Sequence, residues 1–174
     1  VDTNVFKPAE AAQRKVMRER FGMDEKFMFL TVCRNQSRKN IPELFRAWKE
    51  FSELPEISGR VLLWPHMVFD DPMGWKIDDL LDVLKLRNRS IMYYQQVAYS
   101  SSELLLVPDQ DLADLYRIAD AFVLLSGEGF GLPTFEAMAS RLPCILLNHS
   151  ASGELGADGR AEFVEPEGSM TWTG

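Results

Sequence analysis

The sequence predicts an α/β domain of the doubly wound kind, a mostly parallel sheet with helices on both faces. Two observations predict it. Short, wholly apolar runs recur along the chain, as strands covered on both faces require. Amphipathic stretches of helical period separate them, as crossovers between parallel strands require. The 174 residues suffice for one domain with a substantial core, and a chain that is 46% hydrophobic and 26% charged is composed like a folded protein rather than a disordered one.

The elements follow in order. A helix is expected near 8–20, with Pro8 in its first turn and Gly22 as a left-handed stop. "FMFLTVC" (27–33) reads as the opening strand. Ile41, Leu44, Phe45, Trp48 and Phe51 recur at helical spacing, and Pro42 suits the first turn of that helix. "RVLLW" (60–64) is the next strand, Ile77, Leu80, Leu81 and Leu84 the next helical face, and "SIMYY" (90–94) a further strand. Leu112, Leu115, Tyr116 and Ala119 then form a helical face, "AFVLL" (121–125) a strand, Phe135, Met138, Ala139 and Leu142 another face, and "PCILL" (143–147) the last strand. These stripes read as core packing, not cofactor contact.

Composition excludes several functions. Asp plus Glu number 26 against 19 Lys plus Arg, a formal charge of -7, so a sequence-blind grip on nucleic acid is not expected and any anionic ligand must be held locally. No apolar run approaches a membrane span, and the first residues lack the regions of a signal peptide, so the chain reads as cytoplasmic. Cys33 and Cys144 sit in apolar runs without a metal-site spacing and read as small buried thiols. The sequons at Asn88 and Asn148 read as silent. Because the chain begins at Val1 and closes on "TWTG", it reads as part of a longer protein.

In a doubly wound sheet, ligands lie outside the carboxyl ends of the strands, here after Cys33, Tyr94, Leu125 and Leu147. Two of those places carry unusual residues. "RNQSRKN" (34–40) puts Arg34, Arg38 and Lys39 in a short loop ahead of a helix, where cations and first-turn amides make a local anion site. "SGEGFGLPTFE" (126–136) has glycines that let main chain approach a ligand, and Pro133 starts a helix whose free amides face whatever sits before it. Glu128 stands on that loop, placed to accept hydrogen bonds from sugar hydroxyls. Glu136 lies one turn into the helix with its side chain leaning back toward the amino end, placed for a ribose diol. Taken singly, these are an ordinary loop acid and a helix-dipole carboxylate; their combination points to a nucleotide sugar.

"EGFGLPTFE" resembles the E-x7-E signature of retaining nucleotide-sugar glycosyltransferases of the GT-B fold, family four (glycosyl transferases group 1). "VDTNVFKP" resembles the opening of that family's C-terminal half, "CRNQSRKN" its phosphate loop, and "DLADLYRIADAFVLLS" with "EAMASRLPCILLN" the segments flanking the signature, so the likeness covers nearly the whole chain. The resemblance implies a Rossmann-like donor-binding domain spanning 1–174, one half of a GT-B fold, with an N-terminal acceptor domain outside it and its C-terminal end cut short. It implies that Arg34 and Lys39 neutralise the donor diphosphate, that Glu128 and the main chain of Gly129, Phe130, Gly131 and Leu132 hold the transferred sugar, that Glu136 binds ribose, and that the main chain near Val107 meets the base. Glu128, Arg34 and Lys39 are the expected catalytic group. The chain departs from the family where Cys33 and Arg141 stand in place of glycines.

No cofactor is expected: the donor would be a UDP- or GDP-linked sugar. The Asp109 and Asp111 pair is read as an N-cap and a first-turn acid of a helix, not as a metal site, and the transfer is expected to be metal-independent. The partners implied are the nucleotide sugar and, through the other domain, an acceptor sugar, lipid or protein, with peripheral membrane contact through that domain. Two other readings stay open: a nucleotide-sugar-binding module without catalysis, and an epimerase-like enzyme, for which His149 after a strand end is the residue to watch. The isolated chain is expected to bind donor without turning it over.

Overall fold

The computed structural model describes residues 1–23, 25–87 and 107–167. Among the described residues five strands, β1 (Phe27–Val32), β2 (Val61–His66), β3 (Ala121–Leu124), β4 (Cys144–Leu147) and β5 (Glu162–Val164), pair in parallel in the order β2-β1-β3-β4-β5. The helices among these residues are α1 (Ala11–Arg20), α2 (Ile41–Ser52), α3 (Ile77–Val83), α4 (Asp109–Ile118), α5 (Leu132–Ala139) and α6 (Ser150–Gly156), with a 3-10 turn at Ser37–Lys39. The strand expected at 90–94 lies outside the described residues.

Alternation along the strands explains why their sequences are apolar throughout. Met28, Leu30 and Val32 of β1, Phe122 and Leu124 of β3, and Cys144 and Leu146 of β4 pack on one face with Tyr116 of α4 and Ala137 of α5. Phe29, Val123 and Ile145, the residues between them, meet the opposite face, where Ile41, Phe45 and Trp48 of α2 and Ile77 and Leu81 of α3 complete a second core. Period-two side chains with helices on both sides cover both faces of the central strands, while Phe27 at the start of β1 and the ends of β5 stay exposed.

The boundaries differ from expectation where side chains hold the main chain. α1 begins at Ala11, not at Pro8, because the Arg117 guanidinium donates to the carbonyls of Val5 (2.6 Å) and Lys7 (3.2 Å) and the chain stays extended through Glu10. Gly22 is left-handed at φ 63°, the stop that was expected. β2 continues through Pro65 and His66. Leu142 falls beyond α5, which stops at Ala139 ahead of the left-handed Arg141 (φ 59°), and its most buried residues are Thr134 and Ala137. Pro108, not Asp109, holds the N-cap place of α4; Asp109 and Asp111 both lie in its first turn without a side-chain capping bond.

At the amino ends of the strands, Asp120 is the centre of a polar staple. Its carboxylate takes Arg14 (2.6 Å), Arg18 (2.9 Å) and the amide of Met28 (2.8 Å). The same arginines also donate to the carbonyls of Arg117 (3.0 Å), Ala119 (2.8 Å) and Met23 (2.8 Å), joining α1, α4 and β1.

Candidate functional site

From β1 the chain moves outward to β2 on one side, then returns to place β3 on β1's other side. The carboxyl ends of β1 and β3 therefore flank the switch point at which such sheets bind ligands. The loop after β1 and the loop after β3 meet there. Lys39 Nζ donates to Glu128 Oε1, Arg38 to the carbonyl of Gly127 (3.3 Å), and Asn40 Nδ2 to the carbonyl of Leu125 (3.1 Å). Asn40 reaches that carbonyl from a left-handed backbone (φ 50°) ahead of α2, and Pro42 follows in the helix's first turn.

Glu128 is not a water-facing loop acid. Its side chain is 10% exposed and that of Lys39 5%, so the ion pair is largely out of water. Ser126 Oγ donates to the same carboxylate oxygen at 3.0 Å. The main chain of Glu128 is held as well: its amide donates to Ser150 Oγ (3.0 Å) and its carbonyl accepts from the amide of Ala151 (3.2 Å). Gly127 packs closely on the turn that follows β4: a Cβ there would stand 3.0 Å from His149 Nδ1 and 3.2 Å from Ser150 Oγ, close enough that those side chains would have to shift. His149 itself is exposed, at the N-cap of α6, while His66 is lowered to about 4 by burial.

Arg34 takes another direction. Its Nε donates to Asp71 Oδ2 at 3.1 Å, and Asp71 Oδ1 accepts the amide of Met73 at 2.9 Å. The Met73 amide, and then Arg34, hold the Asp71 carboxyl below its ordinary range against the opposing effect of burial. One residue on, the Asn35 amide group exchanges two hydrogen bonds with the main chain of Trp75, at 2.7 and 2.9 Å. A Cβ on Gly74 would come within 2.4 Å of the Asn35 carbonyl, so the loop after β2 lies flat against the loop after β1. Behind them, burial raises the Cys33 thiol to about 12 although Lys39 opposes it, leaving a protonated, unreactive sulfur.

The helix carrying Glu136 starts on left-handed Gly131 (φ 86°), where a Cβ would stand 2.9 Å from the Leu155 side chain. The first helical bond runs from the amide of Phe135 to the carbonyl of Gly131 (3.1 Å), so the amides of Leu132 and Thr134 have no acceptor within the helix. Gly129, Phe130 and Leu132 are exposed beside them. Glu136 Oε2 accepts the Tyr116 hydroxyl at 2.8 Å. Burial raises the Glu136 carboxyl, Tyr116 opposes the rise, and the nearby charge of Asp109 adds to it. Val107 is half-buried just ahead of the Pro108 cap of α4, at the border of the described residues.

The structure thus brings Lys39 and Glu128 into contact, pairs Arg34 separately with Asp71, and places Glu136 on α5 with Tyr116. Sequence reading missed Asp71, Ser126, Asn40, Ser150 and Tyr116. Each acts across a sequence gap or through a hydroxyl or amide that no motif marks.

The model of the family described as glycosyl transferases group 1 matches residues 104–171. Over 168 residues, 95% of this chain, the sequence is 35% identical to mannosylfructose-phosphate synthase of Agrobacterium fabrum, and over 131 residues, 72% of this chain, it is 32% identical to sucrose-phosphate synthase 1 of Arabidopsis thaliana. The chain spans 35% of the length of the first and 12% of the second. In structure it is similar to the C-terminal domain of a glycosyl transferase group 1 family protein, LpcC, of Francisella tularensis, with TM-score 0.71 at 23% identity, covering 96% of this chain and 80% of that one. It is also similar to Anabaena HepE in complex with UDP-glucose, with TM-score 0.71 at 18% identity, covering 95% of this chain and 42% of that one. The fold is that of a GT-B C-terminal domain, and the chain belongs to the glycosyl transferases group 1 family. Among the described residues no helix is long and apolar enough to cross a membrane.

Proposed function

We propose that this chain is the donor-binding half of a retaining glycosyltransferase that takes the sugar from a nucleotide diphosphate and, with an N-terminal acceptor domain, passes it to an acceptor sugar, lipid or protein. The observation that carries the reading is the meeting of Lys39 and Glu128 at the switch point, a cation from one loop and a carboxylate from the other held together in a largely dry place. Arg34, Arg38, Lys39 and the first amides of α5 supply the positive field for a diphosphate without a metal ion. That field acts on charge growing at the leaving phosphate as the anomeric bond breaks, the stage at which fixed donors lower a barrier. Glu128 orients the sugar ring, Glu136 the ribose, and the main chain of 129–132 closes over the sugar. The acceptor oxygen bonds to the anomeric carbon on the same face from which the phosphate leaves, which gives retention, and the leaving phosphate takes the hydroxyl proton. The domain bound to its donor lacks the acceptor side and does not turn over alone. HepE, of like fold, was solved with UDP-glucose, which favours a UDP-type donor.

Calorimetric titration with UDP-glucose and GDP-mannose tests this. One of them is expected to bind, and Lys39→Ala to weaken that binding by roughly tenfold or more, the worth of one charge-assisted contact. Equal affinity in the variant overturns the phosphate assignment.

A further inference from the structure

The loop between β2 and α3 carries no residue that sequence reading assigned to the donor, yet it is built against the phosphate loop. Its Asp71 is 2% exposed in the side chain and fixed by the Met73 amide, so the carboxylate cannot turn to follow a partner. Arg34, by contrast, is 63% exposed and touches Asp71 through Nε. Among the described residues its two terminal nitrogens make no hydrogen bond. A guanidinium held by Nε keeps four of its five N–H donors, in the plane that suits a phosphate or carboxylate. The Asn35–Trp75 bonds and the close approach of Gly74 fix the backbone of both loops around this contact.

We propose that Asp71 is a positioning residue for the donor diphosphate: it grips Arg34 from the side and presents the terminal nitrogens to the ligand. The proposal rests on the donor reading above. It also has a sign that simple electrostatics lacks. Removing a carboxylate near a bound anion should tighten binding through charge alone; releasing Arg34 from its anchor should weaken it, because a long, mobile side chain must then be ordered at each binding event.

The test is titration of the wild-type protein, Asp71→Asn, Arg34→Ala and the double variant with UDP and GDP, with thermal unfolding run in parallel. The wild type is expected to bind one of the two, Asp71→Asn to bind it roughly tenfold more weakly, and Asp71→Asn to change nothing further once Arg34 is alanine. Tighter or unchanged binding by Asp71→Asn overturns the proposal and leaves the donor reading intact, as does an undiminished effect in the Arg34→Ala background. Failure of the wild type to bind either nucleotide overturns both. Should Asp71→Asn not fold, Arg34→Lys decides: lysine keeps the charge but cannot be gripped at one nitrogen while offering others. Affinity like that of Arg34→Ala upholds the proposal, and affinity like the wild type refutes it.

Discussion

At the amino ends of the strands two arginines close on Asp120; at the carboxyl ends Lys39 closes on Glu128 and Arg34 on Asp71. Both regions set cations and carboxylates together across distant parts of the chain, yet they are finished differently. Arg14 and Arg18 spend their nitrogens on several carbonyls as well as on the carboxylate, and Asp120 takes a main-chain amide, so the staple is saturated from within. At the other end Lys39 and Arg34 each meet one carboxylate, Arg34 keeps its terminal nitrogens, and amides at the start of α5 lack helical acceptors. Saturated charges hold structure; charges left with spare capacity are what a ligand can use.

The largest effect expected from this contrast is at the staple. Asp120→Ala leaves Arg18 buried without its anion and should cost about 3–5 kcal/mol of unfolding free energy in denaturant titration. A loss below about 1 kcal/mol would show that the carbonyls alone suffice and would blur the distinction between the two ends. Next comes Glu128→Gln, which removes a charge but keeps the shape. Lys39 is then free, so UDP should bind as well as before or better, while the advantage of UDP-glucose over UDP falls by roughly tenfold. Retention of that advantage would mean that Glu128 does not touch the sugar.

Acid separates the ends by a smaller amount. Burial lowers His66, at the carboxyl end of β2, from 6.5 to about 4, so between those values the unfolded chain takes up a proton that the folded chain refuses. Its contribution to stability is whole above pH 6.5 and is lost as pH falls toward 4. His66→Gln should flatten that part of a stability-against-pH curve; an unaltered slope would assign the loss to other groups. Smallest is Arg141→Gly, at the amino end ahead of β4. It relieves a left-handed arginine at φ 59° and should raise stability by about 0.5–1 kcal/mol in the same unfolding measurement.

Much of the fold could be read from residues because its strands are covered on both sides and so announce themselves as apolar runs. β5 escaped since "EFV" is a three-residue edge strand with two exposed positions, and α6 since "SASGELG" has no apolar period to reveal it. At the site, the glycines, Pro133 and the two glutamates were legible from local spacing, whereas their partners were not. Nothing near Glu128 says that Lys39, 89 residues earlier, will pair with it, and nothing in "FDDPMGW" marks Asp71 as the residue that will hold Arg34. One-dimensional patterns report what each segment buries; they are silent on which polar groups from separate loops will share a crevice.

That separation along the chain has a consequence for folding. No local fragment can hold the Lys39–Glu128 contact, because its residues stand 89 positions apart on loops that the pairing of β1 with β3 brings together, a pairing that closes a long loop before it is rewarded. A ligand that engages both loops would therefore lend its binding energy to the middle of the sheet, by mass action on the native state. Amide hydrogens of β1 and β3 should exchange more slowly in its presence, while those of β5, at the far edge, should respond far less.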